Sequence, residues 1–155
     1  MTWVSLSSRK YSLRKNMSNL ELRDIQISRT LRQTHRQSTY DQQILNIDKK
    51  YELDKAKKKY DMAIGNQPEL GSPEREDWLI EYRMATEEYE AEKNDIANTF
   101  DEALARLEEE NSDKEATLGQ EQTYVESQFE AVKAEFDAIS EAISADIEKS
   151  AVKFK

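Results

Sequence analysis

His35 is the only histidine in the chain and cysteine is absent, so most of the side chains that hold metals or attack substrates are missing. Thiolate metal sites, cysteine nucleophiles and disulfide frameworks are excluded, and a site needing two imidazoles cannot be built within one chain. No carboxylate stands at a metal-helix spacing from His35, which lies beside Arg36 among polar neighbours. A solvated surface histidine is therefore expected. The acidic runs Glu87-Glu88, Asp101-Glu102 and Glu108-Glu109-Glu110 are the groups that acid–base chemistry or calcium would draw on. None sits in a loop with alternating oxygen ligands and a glycine, as a calcium site requires, and on a helix such runs form a wet face. There is no glycine-rich phosphate cradle, no Gly-x-Ser-x-Gly elbow and no histidine placed to activate a serine. The reading is a non-enzyme with no catalytic residue, metal, cofactor or small-molecule substrate.

One electrostatic feature remains. Arg29, Arg32 and Arg36 recur at spacings of 3 and 4, which puts them on one helix face, where they could follow phosphates or meet carboxylates. The charge balance favours carboxylates. Residues 1–60 hold 14 basic and 6 acidic side chains, residues 61–155 hold 9 and 26, and the net charge is −9. An acidic excess of this size repels nucleic acid. The stripe is expected to pair with the acidic second half or with an acidic neighbouring subunit.

The elements that carry these residues follow from what is scarce. Only three glycines and two prolines occur, and four of the five lie between Gly65 and Pro73, with Gly119 the exception. Upstream, Leu13, Met17, Leu20, Ile27 and Leu31 keep one helix face, and the pattern resumes at Tyr40, Ile44, Ile47 and Tyr51. Ser72-Pro73-Glu74 supplies an N-cap, a proline at the first helical position and acid in the first turn. Trp78, Tyr82, Ala85, Tyr89, Ile96, Phe100, Ala103 and Leu107 then continue one stripe. Asn111-Ser112-Asp113 could cap a new helix, and Gly119 costs about 1 kcal/mol relative to alanine in a helix interior. The spacing of 11 between Ile96, Leu107 and Leu118 suits an unbroken helix instead.

The most regular pattern is Val125, Phe129, Val132, Phe136, Ile139, Ile143 and Ile147, continuing to Ala151 and Phe154. A heptad stripe with this many large apolar residues requires a partner helix, and it is expected to be a self-association seam. The fold expected is all-α: one elongated domain over 1–155, an antiparallel helical hairpin with a third C-terminal coiled-coil helix. Its parts are an N-terminal segment 1–10, a helix 11–64, a loop 65–72, a helix 73–110, and a third helix or continuation over 113–153.

No apolar run approaches the roughly 20 residues that cross a bilayer, and the first residues lack the apolar stretch of a secretory signal. A soluble chain in a virion or cytoplasmic setting is expected, with its localisation otherwise undetermined. The functional expectation is a structural or assembly subunit that self-associates by helical coiled-coil packing, such as a virion or filament component. Its partners would be copies of itself and other proteins of a larger assembly. The alternatives are a cytoplasmic coiled-coil adaptor and, more remotely, a nucleic-acid binder using the basic N-terminal helix.

Overall fold

The structure, a computed structural model, describes residues 3–153. Of these, 94% lie in two long packed α-helices, and no strand occurs among the described residues. Helix α1 spans Trp3–Ile64 and helix α2 spans Glu74–Lys153. The segment expected over 1–10 is thus helical from Trp3. Nothing before Gly65 interrupts a helix, and half-buried Leu6 lies one heptad before buried Leu13, so packing holds the first turns in place.

The separate third helix is also absent, because α2 crosses residues 111–120 without a break. Asn111 is not a cap: its side-chain amide donates to the Ser38 hydroxyl at 2.6 Å. Around Gly119 the Thr117 and Thr123 hydroxyls donate to the carbonyls of Asp113 and Gly119 at 2.9 and 3.0 Å. Both hydroxyls thus find an acceptor on their own helix, one turn back. A Cβ built on Gly119 would meet nothing within 4 Å, so the glycine costs only its backbone freedom. Gly119→Ala is expected to stabilise the chain by about 0.5–1 kcal/mol, seen as a higher denaturant midpoint with an unchanged slope.

The turn residues do what their positions require. Gly65 ends α1 with φ +54 and donates its N–H to the Asp61 carbonyl at 3.2 Å, the left-handed cap that glycine adopts without strain. Gly71, with φ +86, stands third in the turn closed by Ser72 N–H to Glu69 O at 3.2 Å, where a type II turn demands a positive φ. Helix α2 starts at Glu74, with Glu74, Glu76 and Asp77 in its first turn at the positive end of the helix dipole. Ser72 caps it differently from expectation. Its carbonyl accepts the Arg75 N–H at 3.2 Å, while its buried hydroxyl has no partner among the described residues.

Packing divides the helices into two units, each taking a piece of both: residues 1–34 with 113–155, and residues 35–112. In the first unit Arg9 meets Glu135 and Arg23 meets Glu121, so one number rises as the other falls and the pieces run antiparallel. Leu13 and Ile27, each 1% exposed, and Val125, 5% exposed, form its core. Met17, Leu20 and Leu31 are half-buried on the same stripe.

The second unit is a helical hairpin closed near the loop by aromatic residues. Tyr60 stacks on Tyr89 with ring centroids 4.8 Å apart, and Trp78 stacks on Tyr82 at 5.1 Å. The Trp78 indole N–H donates to the Ile64 carbonyl at 2.7 Å, satisfying one of the acceptors that every helix C-terminus leaves open. Tyr60 and Thr86 share a hydroxyl hydrogen bond at 3.2 Å. Hydrogen bonding with the neighbouring Tyr60 hydroxyl also raises the Tyr82 pKa above the ordinary phenol value.

Candidate interaction surface

Within the first unit, Val125 is buried, and Phe129 shares a shallow groove with Leu20, Glu21 and Asp24 of α1. The Lys10 ammonium sits 5.4 Å from the centroid of the Phe136 ring, a cation–π geometry. Val132, Ile139 and Ile143 are half-buried, and Ile147 is 54% exposed. From Val125 to Phe136 the structure therefore uses this stripe inside the chain, with α1 as the helix that covers it. Phe154 lies outside the described residues.

The contact between the pieces is partly polar. The Gln122 amide donates to the Asp24 carboxylate at 3.2 Å and to the Ser28 hydroxyl at 3.4 Å. In the second unit Lys59 meets Glu88 at 3.4 Å and Glu92 at 3.7 Å, and Lys49 meets Asp101 at 3.9 Å. Exposed ion pairs contribute about 0.2–1 kcal/mol each. Their role is to favour one antiparallel register, while the buried aliphatic residues supply the stability.

These pairs use other basic residues than the stripe singled out in the sequence. Arg9 and Arg23 reach carboxylates of α2, whereas Arg29, Arg32 and Arg36 are all exposed and make no ion pair among the described residues. His35 is exposed on the same helix. Pairing of this stripe with the acidic second half of the same chain is thus not seen among the described residues.

The apolar pattern at Tyr40, Ile44, Ile47 and Tyr51 does not continue the inner stripe either. In the second unit the inward positions include buried Ala56 and half-buried Leu45 and Tyr60. At about 100° per residue, Ile47 lies about 200° around the helix from Leu45. Accordingly Tyr40 is 58%, Ile47 66% and Tyr51 64% exposed. In the first unit Tyr11, Leu22 and Ile25 are likewise exposed on the outer side of α1. Reading for the most regular stripe misses Leu22 and Ile25. The signal that finds them is their spacing of 3, with Arg29 four residues after Ile25 on the same side of the helix.

Among the described residues no cluster of three or more histidine, aspartate or glutamate side chains could hold a metal ion. No described helix is long and apolar enough to cross a membrane. What the geometry defines is a class, an all-α chain of two long helices with an inner apolar stripe and uncovered outer faces. No protein-family profile matches the chain, and neither curated proteins nor solved structures yielded a significant match.

Proposed function

We propose that this chain is a non-enzymatic structural subunit that assembles with copies of itself and with other proteins through coiled-coil packing of its helices, as a virion or filament component does. The observation that carries the reading is how much large apolar surface stays outside the inner stripe. Leu22, Ile25, Tyr40, Ile47 and Tyr51 are each at least half exposed on α1. Burying one such side chain contributes about 1.5–3 kcal/mol, and grouped exposed apolar residues mark surfaces that something else covers.

Sedimentation velocity over a wide concentration range tests this. Species that grow with concentration are expected. A monomer at every concentration removes the reading, and a single dimer or trimer that never grows returns the chain to the adaptor class.

A further inference from the structure

We infer that the outer face of α1 in the first unit docks a second copy of this chain, through the acidic outer face of that copy's α2. The inference rests on the self-association reading and adds the surface and the partner. Lys15, Leu22, Ile25, Arg29 and Arg32 follow one another at helical spacings of 7, 3, 4 and 3, and all are exposed. They form an apolar strip edged by cations. Lys15, Arg29 and Arg32 make no ion pair among the described residues, so their charge is available to a partner.

Charge selects the occupant. The α1 piece, residues 3–34, holds 7 basic and 2 acidic side chains, and the α2 piece, residues 113–153, holds 4 and 10. Two α1 faces are poor partners for each other, because Lys15, Arg29 and Arg32 of one copy would lie against cations of the other, and like charges at an interface disfavour association. The outer side of α2 offers the opposite sign. Asp137 and Glu141 are exposed there four residues apart, with exposed Ala134 and Ala138 beside them. Glu135, by contrast, is already engaged by Arg9 inside the chain. The small alanines leave room for Leu22 and Ile25 beside the carboxylates.

An α1 face that fits an α2 face is a heterologous contact. Each added copy presents a fresh α1 face and a fresh α2 face, so association continues into rings or filaments instead of stopping at a two-fold dimer.

The test is a charge swap on the full chain, read by sedimentation velocity at low and high salt. Wild type is expected to grow with concentration and to grow less in high salt. Arg29→Glu with Arg32→Glu should need at least about tenfold more protein to associate, because like charges now face each other. Asp137→Lys with Glu141→Lys should behave the same way. Mixing the two variants should restore growth, since each then meets a complementary face. All four residues are exposed, so helix content and melting temperature should stay close to wild type and show that a loss of association is not unfolding. A pair of variants that associates as wild type does, or a mixture that fails to recover, overturns this docking while leaving the self-association reading in place. A wild type that never associates removes that reading as well. Retention of nucleic acid by a non-associating wild type, lost in the arginine variant, would assign the α1 face to phosphates and overturn the proposal.

Discussion

Ile27→Asp is expected to lower the melting temperature by roughly 10 °C and to unpack the first unit. Ile27 is 1% exposed between the two antiparallel pieces. Removing its side chain costs about 2–5 kcal/mol for lost contacts and the cavity left behind, and a carboxylate there must either be desolvated or be protonated. For a chain of this size each kcal/mol shifts the melting point by about 2–4 °C. Ile27→Val, which removes one methylene, should cost only about 1 kcal/mol. Phe136→Asp provides a useful contrast. Phe136 is half-buried beneath Lys10, so a carboxylate placed there would meet a cation and the penalty would reduce mainly to lost packing. Thermal melts followed by circular dichroism rank the three: Ile27→Asp lowest, then Phe136→Asp, then Ile27→Val. Equal melting points for Ile27→Asp and wild type would contradict the packing of this unit.

Trp78→Ala is expected to produce the largest loss in the second unit, about 2–3 kcal/mol, which is below the full cost of a buried tryptophan because the ring is half-buried. Two contributions add. The indole stacks on Tyr82 at 5.1 Å, and its N–H satisfies the Ile64 carbonyl at 2.7 Å. Trp78→Phe separates them, keeping an aromatic ring while removing the donor, at an expected cost of about 1 kcal/mol. Both variants should weaken hydrogen-exchange protection near residues 60–64 more than near Ile27. A uniform loss along the chain would contradict a local closure of the hairpin by this cluster.

Much of this arrangement is legible in the residues themselves. The glycines and prolines between Gly65 and Pro73 locate the loop because they alone supply positive φ and break helical hydrogen bonding. The stripes Leu13 to Leu31 and Trp78 to Leu107 read as buried faces and are largely covered. What the sequence leaves open has a physical cause: periodicity shows that a face needs cover, and not what covers it. Val125 to Phe136 reads as a seam for another chain, yet α1 lies against it. Tyr40 to Tyr51 reads as a continuation of the inner stripe, yet a few residues of offset turn it outward. Asn111 and Gly119 leave a break or an unbroken helix open, and the helix continues because one side chain bonds across to Ser38 and the other position has open space around it. A single weak residue costs too little to stop a helix that packs along its length. The separation of paired from unpaired arginines is not legible at all, since it depends on which carboxylate lies opposite each one.

The inner stripe is covered by the chain itself, and the proposed assembly covers the outer α1 face with other copies. The chain has no cysteine, so a single introduced thiol reports its own environment. Val125→Cys and Leu22→Cys, alkylated over a range of protein concentrations, measure the two faces separately. Slow alkylation of the Val125→Cys thiol is expected at every concentration, and alkylation of the Leu22→Cys thiol that is fast when dilute and slows as the protein is concentrated. A Leu22→Cys thiol that stays equally reactive at concentrations where the protein has associated would contradict this division of the two faces.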